Sequence, residues 1–228
     1  MASKFPNPFE QFQSIFEDIQ ERIKIAVEKT PESLVELSRY GWYIDLGFDF
    51  AEPIELYERI TKGDIDYVDN YFIKYYNDKL KQIEYELCEN YPSRAHIFSE
   101  SFNCYKKGKY YATISLLLTQ ADGICYGKTK KLFFINNKQL AKQKKYVPEV
   151  EEKIQRMSGG VIDLLLEPMK NSTVINDLTE NISSYPVKLN RHAILHGMDT
   201  EYGTKVNCLK VISFVNYLNE MLEDSSIS

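Results

Sequence analysis

Apolar residues recur at intervals of three and four along most of this chain, and that period limits the folds open to it. In the stretch FEQFQSIFEDIQERIKIAVEK the apolar positions are Phe9, Phe12, Phe16, Ile19, Ile23 and Val27. This is the spacing of an amphipathic α-helix and not the alternation of a strand. A last helix, running to about residue 223, is predicted from the same pattern at Leu209, Ile212, Val215, Leu218 and Leu222.

Start and stop signals predict the other helices. Thr30 before Pro31 predicts a separate helix over residues 31–39, with Thr30 as its N-cap. Only the isolated stretch KLFFINN has the aromatic and β-branched content of a strand. Further helices are predicted at residues 53–62, 64–89, 92–107, 109–126, 148–167 and 171–184. The sequence therefore predicts an all-α fold.

A boundary between two helical regions is predicted near residue 91. Pro92 disfavours helical backbone at Tyr91 and is suited to begin a new helix. We therefore expect an N-terminal helical region at residues 1–91 and a second region at residues 92–228. Within the first region, SRYGWYIDLGFDF is expected to be packed core rather than a sensing surface.

Composition places the chain among ordinary soluble globular proteins. No segment offers the roughly 20 apolar residues of a membrane span, and no secretory signal is recognisable, so we expect a cytoplasmic protein without a membrane partner. The cysteines Cys88, Cys104, Cys125 and Cys208 are scattered. That scatter predicts buried free thiols instead of disulfides or a cysteine-rich zinc site.

Charge is distributed unevenly along the chain. The net charge is −5, but residues 106–145 carry ten lysines against a single acid, Asp122. A basic stretch in an acidic protein is typical of a polyanion binder. A solvated, lysine-rich helix surface would have the same composition.

The stretch LNRHAILHGMDTEYG concentrates Arg191, His192 and His196 within six residues. Helix-start residues at 183–186 and a stop at Gly197 predict a short helix here. The two histidines share one face, while Arg191 lies about 140° around the axis from His196, so they flank a site. A histidine there could exchange a proton near neutral pH.

Two other interpretations of this cluster remain open. The spacing of His192 and His196 also suits a metal ion, although only His96 remains as a third histidine. Alternatively, Arg191 forms a surface ion pair and the histidines cap a helix end.

A polar line runs along the mostly apolar helix KYYATISLLLTQADGICYG. Ser115, Thr119 and Asp122 lie at positions i, i+4 and i+7. A buried carboxylate needs a cation, and Arg191 is the natural candidate. A solvated Asp122 in the last helical turn is the alternative.

These residues resemble the HEPN superfamily of α-helical ribonucleases and nucleotide-binding proteins. RHAILH matches the family motif of Arg, a polar residue, three variable residues and His, and Asn190 and Gly197 complete an NRHxILHG form seen in members linked to phage defence and toxin–antitoxin loci. The stretch YPSRAHIFSESFNCYKKGKYYATISLLLTQADGI is also similar to the helix that precedes the motif in such members. The resemblance covers residues 92–223 and implies a HEPN-type helical bundle.

The resemblance implies an endoribonuclease that needs neither metal nor another cofactor. Two copies of the Arg/His helix would meet in a homodimer, where the ribose 2′-hydroxyl attacks the phosphorus. His196 would handle the proton, Arg191 would bind the phosphate, His192 would orient the scissile group or share the proton transfer, and Asp122 would fix Arg191. Asn190, Ser115 and Thr119 would support them. The RNA backbone would lie on Lys106, Lys107, Lys109, Lys128, Lys130, Lys131, Lys142, Lys144 and Lys145.

Such an enzyme would act as a defence effector or toxin, restrained or activated by a partner protein or by residues 1–91. The alternative, from another functional class, is a non-catalytic helical adaptor or RNA-binding module, because a fold does not guarantee an activity.

Overall fold

The structure is a computed structural model that describes residues 8–49, 51–135, 148, 150 and 161–223. Its described regular elements are helices, as predicted for an all-α fold. They are α1 (Pro8–Arg39), α2 (Glu52–Thr61), α3 (Ile65–Asn90), α4 (Ala95–Lys106), α5 (Tyr110–Thr129), α6 (Val161–Leu165), α7 (Glu167–Lys170), α8 (Arg191–Leu195) and α9 (Lys205–Glu223). Short 3-10 helices cover Pro92–Arg94 and Thr179–Ser184.

Four long helices form the centre of the molecule. α9 packs against α3 and α5, and α4 packs against the same two helices. The predicted apolar side of α9 is buried, together with Phe214 and Tyr217. α2 lies between α1 and α3, and the short helices α6 and α7 pack on α1.

The stretch SRYGWYIDLGFDF contributes to this centre, as predicted. Trp42 and Tyr43 are fully buried. The Trp42 ring stacks on Phe72, and its Nε1 donates to the Asp69 carboxylate at 2.7 Å. One core cluster contains residues on both sides of position 91. The division into functional regions at 1–91 and 92–228 stays a prediction.

The prediction of two helices around Pro31 is wrong, because α1 is continuous from Pro8 to Arg39. Thr30 is not an N-cap: its hydroxyl is buried and has no hydrogen-bond partner among the described residues. Pro31 lacks the N–H that would extend the backbone ladder. The burial of Leu34 and Leu37 in the core holds the helix together across this gap.

The prediction of a helix over residues 171–184 is wrong as well. Residues 171–178 form turns, and only Thr179–Ser184 are helical, in the tighter 3-10 form. Asn176 explains the turns, since its side-chain oxygen accepts the backbone N–H of Thr173 at 2.7 Å. Short polar side chains of this kind compete with helical hydrogen bonding. Of the helix predicted at 148–167, residues 149 and 151–160 lie outside the described part of the chain.

All four cysteines are free thiols, three of them buried and Cys88 half-buried. Within the residues that the structure describes, no helix combines the length and apolar character needed to cross a membrane.

Candidate functional site

The Arg/His helix α8 is held at its N-terminus by a buried asparagine. The side-chain oxygen of Asn190 accepts the backbone N–H of Ala193 at 3.1 Å, which makes Asn190 the N-cap. The predicted start at residues 183–186 is therefore wrong, because those residues belong to the preceding 3-10 helix and bend. At the other end Gly197 has a φ of +71°, as expected for a helix stop.

Asn190 also connects α8 to residues 171–178, which we call the turn segment. Its amide nitrogen donates to the carbonyl oxygens of Val174 at 3.2 Å and Asp177 at 2.9 Å. The backbone N–H of Arg191 donates to the carbonyl of Ile175 at 3.0 Å. The position of the Arg/His helix thus depends on a segment that lies 13 to 16 residues earlier in the chain.

Arg191 lies between an acid and an aromatic ring. Its Nη2 is 4.0 Å from Oδ2 of Asp122, and its Cζ is 4.9 Å from the centre of the Phe134 ring. The Nε atom of Arg191 is buried and has no hydrogen-bond partner in the described part of the chain. A buried donor without a partner is rare in folded proteins, and a functional role is one of the explanations for it.

Asp122 contacts more than Arg191. Its Oδ1 accepts the backbone N–H groups of Phe133 and Phe134, both at 2.9 Å. The Asp122 carboxylate therefore fixes the backbone that carries the Phe134 ring. The same carboxylate lies beside the Arg191 guanidinium, which rests on that ring. Asp122 is half-buried on α5, which continues past Gly123 to Thr129.

His192 lies on α8 and His196 is the C-cap residue of that helix, and both are exposed and adjacent. Their ring centres are 4.2 Å apart. The pKa of His192 is lowered, first by partial desolvation and then by the positive charges of His196 and Arg191. The lowered pKa favours the neutral form of His192, and a neutral imidazole can accept a proton.

A cleft with a volume of about 270 Å³ opens beside Arg191 and His192. Its walls come from three segments that are distant in sequence: the residues after α5, the turn segment and the start of α8. The lining residues are Phe134, Ile135, Ile175, Asn176, Asp177, Leu178, Thr179, Arg191 and His192.

Seven of the nine lining residues were not identified from the sequence, among them Phe134, Asn176 and Asp177. The Asp177 carboxylate accepts the Tyr185 hydroxyl at 2.6 Å, and with Asn176 it shapes the wall of the cleft. A signal existed in the stretch NSTVIND, whose density of Asn, Ser, Thr and Asp is typical of turns. Phe134 carried no such signal.

Ser115 and Thr119 do not share Arg191's surroundings. The Ser115 hydroxyl lies 3.0 Å from the Tyr202 hydroxyl. Thr119 is exposed, and its hydroxyl donates to the Leu116 carbonyl of its own helix at 2.6 Å. Of the predicted polar line on α5, only Asp122 approaches Arg191.

The lysines of the basic stretch that the structure describes form two groups at opposite ends of α5. Lys106, Lys107 and Lys109 lie at its N-terminal end and are exposed, with Lys106 paired to Glu84 at 2.6 Å. The second group is separated from them by roughly 28 Å of helix. It comprises Lys128 near the Tyr91 ring, Lys130 near the Tyr126 ring, and Lys131. Lys142, Lys144 and Lys145 lie outside the described residues.

His96 is exposed on α4. Across residues 8–49, 51–135 and 161–223, no group of three or more His, Cys, Asp or Glu side chains is arranged to hold a metal ion.

Comparisons with family models, with curated proteins and with solved structures each found no match to this chain.

Proposed function

We propose that this protein is an endoribonuclease of the HEPN type that cuts RNA without a metal ion. One observation carries the proposal: Arg191, fixed beside Asp122 and Phe134 and with an unpartnered Nε–H, lines a cleft next to a pair of histidines. An arginine and an imidazole at a cleft, with the ring of His196 4.2 Å from that of His192, provide the groups that RNA transesterification requires.

Arg191 would bind the scissile phosphate. Phosphate oxygens accept hydrogen bonds from a guanidinium in a two-pronged geometry. Asp122 sets the position of Arg191 without neutralising it through a close contact, since the two lie 4.0 Å apart. The guanidinium charge remains available for the additional negative charge of the transition state.

The histidines would transfer the protons. Neutral His192 accepts the proton of the ribose 2′-hydroxyl as its oxygen bonds to phosphorus. The bond from phosphorus to the 5′-oxygen breaks, and the His196 imidazole donates a proton to that leaving oxygen. The products are a 2′,3′-cyclic phosphate and a 5′-hydroxyl, so atoms and protons balance without water or metal.

Two copies of the chain would form the complete site. Both histidines of α8 are exposed, so a second α8 related by a two-fold axis could approach them. The homodimer would act in phage defence or as a toxin, and a protein partner would restrain or activate it.

The test is RNA cleavage in EDTA by the wild type, by His196→Ala and by His96→Ala. His96 is an exposed histidine on another helix and serves as the matched control. We expect the wild type and His96→Ala to leave 2′,3′-cyclic phosphates, and His196→Ala to leave RNA intact. Equal cleavage by all three proteins, or cleavage only with added metal, would contradict the proposal.

RNA binding should depend on salt through the lysines. Binding to a single strand weakens with salt in proportion to the phosphates neutralised, with a logarithmic slope of about −0.7 per contact. Replacing Lys128, Lys130 and Lys131 with alanine should make the slope shallower by about two units. An unchanged slope would remove these lysines from the RNA interface.

One observation favours the alternative, a non-catalytic adaptor. The N-terminal half of α1 exposes several large apolar side chains, as a protein-binding element does. RNA binding without cleavage by the wild-type dimer would support an adaptor.

A further inference from the structure

The N-terminal part of α1, residues 8–29, extends away from the other residues that the structure describes. We call this segment the arm. Between residues 12 and 29 every side chain that the structure describes is exposed, except the partly buried Ala26. Burial in the core begins at Thr30. At about 1.5 Å per residue the arm is roughly 33 Å long.

One face of the arm is apolar and uncovered. The exposed fractions are 68% for Phe12, 51% for Phe16, 46% for Ile19 and 58% for Ile23. Ile15 and Val27 widen the same stripe. Soluble monomers seldom expose a contiguous apolar surface of this extent, and such surfaces mark binding sites.

The spacing of these side chains fits another helix. Positions 12, 16, 19 and 23 alternate steps of four and three, which is the seam of a two-stranded coiled coil. When two such helices run antiparallel, Phe16 lies opposite Ile19 of the second copy, and Phe12 lies opposite Ile23. Each large ring then meets a branched aliphatic side chain at every layer.

The charges of the arm favour a second copy in that orientation. Residues 8–21 contain four acids and no base, whereas residues 22–29 contain three bases and one acid. Antiparallel pairing places residues 8–13 of one arm along residues 22–27 of the other, so that opposite net charges meet. Near the middle of the pair, Glu17 lies opposite Asp18 of the second copy in this orientation, whereas parallel pairing would align all four acids of residues 8–21 with their own copies.

The same charges argue against a lipid surface. Helices that lie on membranes carry lysine and arginine on the polar face, which attract anionic lipids. All the charged residues among the first fourteen of the arm are acids, and anionic lipids repel them.

We propose that the arm is a self-association element that pairs with the arm of a second copy in antiparallel orientation. This surface is separate from α8, so arm pairing and RNA cleavage can fail independently.

The first experiment measures the oligomeric state of the full chain by sedimentation velocity between 1 and 100 µM, for the wild type and for Phe16→Glu/Ile19→Glu. The matched control is Tyr85→Glu, since Tyr85 is an exposed aromatic residue on α3. We expect dimers for the wild type and the control, and at least a 10-fold higher dimer dissociation constant for the arm variant. Circular dichroism verifies that the protein outside the arm stays folded in each variant. A monomeric wild type, or equal dimerisation of all three, would overturn the proposal.

The second experiment tests the orientation by oxidative cross-linking of Phe12→Cys and Ile23→Cys proteins, with the wild type as the control for its own thiols. Antiparallel pairing predicts covalent dimers when the two variants are mixed and none from Phe12→Cys alone. Self-cross-linking of Phe12→Cys would indicate parallel helices and overturn the orientation. Flotation with phosphatidylcholine/phosphatidylserine vesicles in place of dimerisation would assign the arm to membranes and overturn the proposal.

Discussion

Oδ2 of Asp122 lies 4.0 Å from Nη2 of Arg191, while Oδ1 accepts two backbone N–H groups from residues 133 and 134. Two functions of one carboxylate can therefore be separated by substitution. One is electrostatic and acts on Arg191, and the other is structural and acts on the backbone after α5.

Asp122→Asn should keep the structural function and lose the charge. The asparagine oxygen can still accept the N–H groups of Phe133 and Phe134, so we expect a melting temperature close to the wild type. Without the carboxylate charge, Arg191 is less firmly placed and RNA cleavage should fall about 10-fold. Asp122→Ala should additionally lower the unfolding free energy by about 1–3 kcal/mol, because two backbone donors lose their partner. Identical melting temperatures for Asn and Ala would refute this division.

Arg191→Lys should lose most activity with little loss of stability. Lysine retains the charge but not the planar fork that binds phosphate in two places and rests on the Phe134 ring. We expect cleavage to fall by about 100-fold or more and the melting temperature to stay near the wild type. Single-turnover cleavage in EDTA measures the first quantity, and thermal unfolding measures the second. Near-wild-type cleavage by the lysine variant would show that charge alone suffices.

The pKa of His192 should lie below its ordinary value of 6.5, and removing His196 should raise the pKa of His192. The reason is that a protonated His192 is repelled by neighbouring positive charge, part of which His196 supplies. NMR titration of the imidazole resonances in the wild type and in His196→Ala measures both values. His96→Ala is the control and should leave the His192 titration unchanged. A His192 that titrates above 6.5 would contradict the arrangement.

Asn190→Ala should destabilise the whole site. The substitution removes the N-cap of α8 and the two donors to Val174 and Asp177, so we expect a loss of about 2–4 kcal/mol in unfolding free energy. Asn190→Ser restores the capping oxygen but not the donors, and should fall between the wild type and alanine. Urea unfolding of the three proteins gives the order. Serine and alanine of equal stability would mean that the cap contributes nothing.

Glu220 should make stability depend on pH. Burial raises its pKa to about 7, with Asp45 adding to the effect. The folded state therefore holds a proton that the unfolded state has released, and stability falls as pH rises from the unfolded pKa through about 7. Between pH 5 and pH 8 the melting temperature of the wild type should fall by roughly 3–6 °C more than that of Glu220→Gln. Parallel curves for the two proteins would exclude Glu220 as the titrating group.

Sequence periodicity predicted the helical class because burial on one side of a helix requires it. The predicted helix boundaries were wrong where a single residue, Pro31 or Asn176, was decisive. Pro31 suggested a new helix, but Leu34 and Leu37 pack with the same core and hold α1 continuous. Over residues 171–178 the expected helix was wrong, because Asn176 provides the backbone with other partners.

The candidate site divides in the same way. The proximity of Asp122 and Arg191 was predicted from the need of a buried acid for a cation. The positions of Phe134 and of the cleft walls depend on contacts between segments that are distant in sequence. The periodicity of a single sequence does not predict such contacts. The N-cap of α8 was placed wrongly because Ser183 and Ser184 are as well suited to cap a helix as Asn190.

Helix α8 has five residues, too few to persist on its own in water. Its helical shape therefore depends on the hydrogen bonds that Asn190 and the Arg191 backbone make to the turn segment. If that turn segment is displaced, Arg191 and both histidines lose their arrangement while the four central helices stay folded. A protein that binds and displaces residues 171–178 would thereby disturb the arrangement of Arg191 and His192 without contacting either side chain.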